Sequence, residues 1–270
     1  MKIRLRLPSV VPIDSPVLDA TLMSTIGGAP VQLAIAEHHD ALSGVMIRAF
    51  DTEVPDTLME DRDAAEGIVR AWWNLALAWI CLWHNTPGTQ DVYHSPVIEV
   101  PGENGDVHPQ LLRPFGFADT ATTPPAESLQ DALRFAGEDR RLTVPQSLLV
   151  RARTAYAEGS MWSVAIDAAA AVEVAAAEAI EVCLTESHHC PPAFVESVTH
   201  SNRGFERLIR ACRDLGMDVQ ADRAALEELR KIRNQGAHGS EDIDANKAFE
   251  ALLTARSIVG ALTRLRPALT

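Results

Sequence analysis

Cysteine is scarce in this chain, with four among 270 residues. That is too few for a disulfide scaffold, so the expectation is reduced thiols in a cytoplasmic protein. Basic charge is also short: 24 Lys and Arg stand against 37 Asp and Glu, a formal charge of −13. A protein that coats nucleic acid without specificity is usually basic, so this class is excluded. Long apolar runs are missing too. The one stretch that invites a membrane reading, Ile68 to Trp83, is 16 residues long and contains Arg70 and Asn74. A span needs about 20 apolar residues with few charges, so this stretch reads as a buried helix. The N-terminal MKIRLRLPSVV alternates charged and apolar residues and has no apolar core of a signal peptide. No Walker A loop, dinucleotide glycine fingerprint or nucleophile elbow occurs. There is no internal repeat. The apolar share of 47% is that of a globular chain.

The charge is uneven. Residues 1–139 hold 8 basic and 20 acidic residues, whereas 140–270 hold 16 and 17. A polyanion is repelled by the first part, and any contact with nucleic acid falls to the arginine-rich second part.

The periodicity changes along the chain in the same sense. Residues 2–9 alternate as a half-buried strand does. The apolar runs 20–26 and 31–36 flank Gly27, Gly28 and Pro30, which predicts a hairpin, and 43–50 reads as a further strand. Residues 62–84 predict one long apolar helix with Trp72, Trp73, Trp79 and Trp83 in the core. Residues 85–127 are loop-rich, with seven prolines and at most a short strand at Val97–Val100. From Val144 the period is helical, with helices expected at 146–157, 160–185, 193–215, 221–235 and 245–265, and with Asp244 as an N-cap. The expected fold is α+β. An N-terminal β-rich domain over 1–125 is followed by a linker at 126–143 and an all-α bundle over 144–270.

The informative segment is LEELRKIRNQGAHG, Leu226 to Gly239. By helical spacing Arg233 shares a face with Leu226 and Leu229, an odd place for a charge unless it is paired or faces a cleft. Asn234 follows it. Gly236 is expected to break the helix and so let His238 fold back beside Arg233. The pair suits phosphate chemistry. Histidine moves protons near neutral pH, and arginine grips a phosphate with parallel hydrogen bonds.

Arg-Asn-x-x-x-His on the penultimate helix of an all-α domain, followed by a last helix (AFEALLTARSIVGAL), resembles the HEPN superfamily, the higher eukaryotes and prokaryotes nucleotide-binding domains. The resemblance covers about residues 145–266. It implies an up-and-down bundle that forms a homodimer whose motif helices meet. It also implies a metal-independent endoribonuclease of a toxin–antitoxin, abortive-infection or phage-defence system, with no cofactor. His238 would be the general acid or base, Arg233 the phosphate grip and Asn234 an orienting group, with Glu173 as support for Arg233. The products would carry 2′,3′-cyclic phosphate ends. The partners implied are RNA, a second copy and an antitoxin or other regulatory protein. Part of the family carries a tyrosine two residues after the histidine; here Ser240 stands there. Some members bind or assemble without cutting, which is the alternative function, with residues 1–125 as a sensor or cover.

Other clusters point to less. Cys183, His188, His189 and Cys190 fit no common zinc spacing and read as a polar helix end. His38 and His39 read as a strand end or turn at the surface, and His84, His94 and His108 are scattered through a loop region.

Overall fold

The computed structural model describes residues 2–13, 21–41, 44–84, 97–99, 126–238 and 243–263. The chain divides into two compact units, Met1–Arg141 and Leu142–Thr270. The first holds an antiparallel sheet and the second is helical, so the α+β expectation holds at that level. The proline-rich stretch is outside the described residues except for Val97–Glu99.

The first unit is a sheet of β1 (Lys2–Ile13), β2 (Leu22–Ile26), β3 (Ala29–Ala41), β4 (Gly44–Glu53) and the three-residue β5 (Val97–Glu99), in the order β2-β3-β4-β1-β5. All pairings are antiparallel. The predicted hairpin is there: Ile26 pairs with Ala29 across Gly27 and Gly28, whose φ angles of 59° and 81° suit a two-residue hairpin turn that L side chains resist. His38 and His39 lie within β3, opposite Ile47 and Met46, rather than at a turn. The alternation that hid this strand's length is broken by register shifts around Glu37.

One sheet face carries Ile3, Leu5, Leu33 and Phe50, all buried. Helix α1 (Arg62–His84) buries Val69, Trp72, Trp73, Ala76, Trp79 and Ile80. Trp73 meets Phe50 edge-on, with ring centroids 6.2 Å apart. The expected long apolar helix is amphipathic: Gly67, Ile68, Arg70, Ala71 and Asn74 are exposed on its other side. Among the described residues no helix is long and apolar enough to cross a membrane.

The stretch expected as a linker is part of this unit. Ala126–Gly137 forms α2, whose Leu129, Ala132, Leu133 and Ala136 are buried. It runs beside the free edge of β2. Gln130 serves as a substitute strand there: its Oε1 accepts from the Met23 N–H at 2.9 Å and its Nε2 donates to the Met23 carbonyl at 2.8 Å. Below it, the Trp72 indole N–H donates to Ser24 Oγ, which donates to the Leu133 carbonyl at 2.6 Å. These buried polar groups satisfy one another.

The helical unit contains α3 (Val144–Ala157), α4 (Met161–Val182), α5 (Pro192–Ser201), α6 (Phe205–Asp214), α7 (Arg223–His238) and α8 (Ala245–Thr263). Helix α4 is at its centre and packs against the other five. Its Val164, Ala165, Ala168, Ala169, Ala171, Val172, Ala175, Ala176, Ala179 and Ile180 are buried, about half of its circumference. Alanine makes this possible, since it favours the helix and lets neighbours come close. A π-helical turn, Cys183–Ser187, extends α4. Asp244 caps α8 as expected, accepting from the backbone N–H groups of Asn246 and Lys247. The helix expected over 193–215 is two helices, split at Gly204, whose φ of 103° no continuous helix accommodates. Arg153 is buried between α3 and α8, its guanidinium over the Tyr156 and Phe249 rings at 5.5 and 5.7 Å.

Two glycines predict opposite outcomes. A methyl group at Gly137 would lie 2.5 Å from the Thr25 backbone nitrogen, whereas at Gly67 it meets nothing within 4 Å. Gly137→Ala is expected to destabilise the first unit by about 1–3 kcal/mol through overpacking. Gly67→Ala is expected to stabilise it by about 0.5–1 kcal/mol through helix propensity. Urea unfolding followed by tryptophan fluorescence measures both.

Candidate functional site

Helix α7 buries one stripe, Leu226, Leu229, Ile232 and Gly236. Ile232 fills the core position here, and Arg233 sits at the edge of the stripe, half-exposed and paired. Its side chain is 44% exposed. The Nη2 nitrogen is 3.7 Å from Glu173 Oε1 on α4, an ion pair too long for a hydrogen bond. Nη1 donates to Asn234 Oδ1 at 3.3 Å. Arg233, Asn234 and Glu173 are therefore neighbours, with the guanidinium half in water and anchored on one side.

The helix does not break at Gly236. It continues through His238. The reason is tertiary: a Cβ at Gly236 would lie 3.1 Å from the Trp162 carbonyl oxygen and 3.3 Å from Ala165 Cβ. The glycine is a contact point, where the last turn of α7 lies against the first turn of α4. It does not act as a helix terminator. At about 100° per residue, position 238 falls about 140° around the axis from position 233. A single chain thus presents the two motif positions in different directions. Ser240 is outside the described residues.

The surroundings are basic. Arg230, further back on α7, bridges Glu206 of α6 at 2.9 Å and also pairs with Glu227. These two carboxylates hold its pKa above the ordinary arginine value, the hydrogen bond it donates to Glu227 being the larger cause. On α6, Phe205, Leu208, Ile209 and Cys212 face inward, and Arg207 and Arg210 are exposed, with Arg203 exposed in the preceding turn. Among the described residues these three arginines pair with no carboxylate, unlike Arg151, Arg230 and Arg233, each of which sits on one. Sequence reasoning noted only an arginine-rich half. The finer signal was present in the three-residue spacing of Arg207 and Arg210 opposite an apolar face. Trp162, on the first turn of α4 and 59% exposed, was missed as well.

The zinc alternative gains nothing. Among the described residues no group of three or more His, Cys, Asp or Glu is placed to hold a metal ion. Cys183, Cys190 and Cys212 are free thiols. Burial, and secondarily the nearby Cys183, push the Cys212 thiol up to about 12, so it is inert as a nucleophile.

The geometry yields a stability test. The Arg233–Glu173 pair is partly exposed and makes no hydrogen bond, so Glu173→Gln is expected to change stability by no more than about 1 kcal/mol. Gly236→Leu is expected to cost about 1–3 kcal/mol by forcing the end of α7 off α4. Far-UV circular dichroism during urea unfolding measures both. Comparison of the chain with family models, with curated proteins and with solved structures finds no match in any of the three.

Proposed function

We propose that the helical unit is a HEPN-type, RNA-directed bundle and that the chain is a metal-independent endoribonuclease acting as a homodimer in the cytoplasm. The observation that carries this reading is Arg233 itself: a half-exposed guanidinium with Glu173 on one side and the Asn234 amide on the other. A purely structural arginine would be expected to spend its donors inside the bundle, as a buried cation requires. This one keeps part of its fork in solvent, where a phosphate can take it in two parallel hydrogen bonds.

In the proposed reaction His238 accepts the ribose 2′-hydroxyl proton, and the freed oxygen attacks the adjacent phosphorus. The 5′-oxygen then leaves with a proton given back by the histidinium, and a 2′,3′-cyclic phosphate remains. Arg233 holds the phosphate and stabilises the charge that develops on it, and Asn234 orients the guanidinium. Because positions 233 and 238 diverge around one continuous helix, the cleft is composed where the ends of two α7 helices meet. The exposed Arg203, Arg207 and Arg210 supply sequence-independent attraction for the RNA backbone. A toxin or phage-defence role, with an antitoxin or the acidic first unit as restraint, follows from the same reading. The divergence of the two positions also favours a second reading, in which the bundle binds RNA without cutting it.

The test is RNA cleavage in EDTA by the full chain, with the new ends identified chemically. Cyclic-phosphate ends are expected, with a loss of at least about a hundredfold in His238→Ala, the usual scale of a lost acid or base. Arg233→Ala should lose activity to a comparable degree. RNA affinity with no cleavage would assign the binding module; neither affinity nor cleavage would sink both readings.

A separate expectation concerns salt. Replacing Arg203, Arg207 and Arg210 together by alanine should reduce the slope of log affinity against log salt by about two, at roughly 0.7 per lost phosphate contact on a single strand. Filter binding at several salt concentrations measures it.

A further inference from the structure

Trp162 is exposed where an indole is least expected. Of the chain's five tryptophans, Trp72, Trp73 and Trp79 are buried, whereas Trp162 is 59% exposed. It is the second residue of α4, and the fold fixes its neighbour. The Trp162 carbonyl is the nearest atom to the missing side chain of Gly236, at 3.1 Å from where a Cβ would be. His238 lies two residues beyond Gly236, about 3 Å further along the helix axis. Arg233 lies three residues before it. The backbone of Trp162 is therefore anchored beside the end of the motif helix, while its indole is left exposed. Position 162 shares a face of α4 with Glu173, eleven residues or about 16 Å further along the helix, where the Arg233 guanidinium is held.

A flat, exposed ring on the same helix face as a phosphate grip has a definite chemical partner. We infer that Trp162 is a stacking platform for a nucleobase a few nucleotides along the strand from the phosphate held by Arg233. The inference rests on the RNA reading of the same site. Every base has a π-face, so the platform binds a single strand without choosing its sequence, while Arg233 sets the position of the backbone. The platform needs an unpaired base, which makes single-stranded RNA or a loop, rather than a duplex, the substrate. The other occupant to consider is the same face of a second copy, and the experiment separates the two.

The full chain is titrated with a short single-stranded RNA that carries 2′-O-methyl groups throughout and so resists cleavage. Tryptophan fluorescence and affinity are followed for the wild type, Trp162→Phe and Trp162→Leu, and light scattering gives the oligomeric state of each. The expected result is quenching in the wild type, affinity largely kept in Trp162→Phe, and a roughly ten- to hundredfold loss in Trp162→Leu, the scale of one base stacked on an aromatic ring. Quenching should be much reduced in both variants, and oligomeric state unchanged. Equal affinity in Trp162→Leu and wild type overturns the platform and leaves the RNA reading intact. A dimer that dissociates in Trp162→Leu, with RNA affinity falling only as the dimer does, assigns the indole to the second copy instead. A wild type that binds no RNA at low salt overturns the platform together with the reading beneath it.

Discussion

The close approach of α7 to α4 at Gly236 is the constraint on which the candidate site depends. It is one instance of a wider arrangement. Helix α4 is enclosed by five other helices, and only a surface of alanine and valine lets so many backbones reach one axis. At most contacts the neighbour supplies a larger apolar residue to fill the space. At the end of α7 it supplies none, and the backbone itself comes to within touching distance of the Trp162 carbonyl. That contact keeps α7 helical as far as His238, sets the angle between the motif positions and places an indole at the helix end. The chemistry proposed for Arg233 therefore rests on a packing detail rather than on polar contacts.

The electrostatics follow from the same layout. Carboxylates are distributed so that some arginines are held and others are left to solvent. Glu206 draws Arg230 towards α6, and Glu173 steadies Arg233 on one side only. Asp167, buried on α4, faces Arg151; burial raises its pKa, and the arginine offsets this only in part. An anion approaching the helical unit thus meets cations that differ in how much must be given up to receive it. Arg203 and Arg210 lose only water, Arg207 also a long hydrogen bond to the Ser201 carbonyl, whereas Arg233 loosens a weak ion pair.

Much of the architecture was legible in the sequence because its causes are local. Gly27 and Gly28 between apolar runs define a hairpin through backbone conformation alone, and Asp244 caps α8 through its own side chain. The α+β division, α1 and the helical second half follow from periodicity. The misreadings share a different cause. Gly236 was read as a terminator because glycine at a helix end usually is one; its real role depends on α4, more than sixty residues earlier. The spacing puts Arg233 on the apolar face, paired or towards a cleft, but does not distinguish the centre of a stripe, which Ile232 takes, from its edge. Gly204 lay within an apparently periodic stretch and split it. The contact between Arg233 and Glu173 was inferred only through family likeness, and the exposure of Trp162 had no signal in the order of residues.

The side-chain amide of Gln130, paired with both backbone groups of Met23, has a consequence for how the chain can be divided. An edge strand with free N–H and C=O groups invites another strand to join it, and α2 is the element that blocks this edge of the sheet. A fragment that ends at residue 125, where composition alone suggests a boundary, would leave the β2 edge and the apolar faces of α1 bare. Such a fragment is primed for strand addition between molecules. One that ends at Arg141 retains its guard.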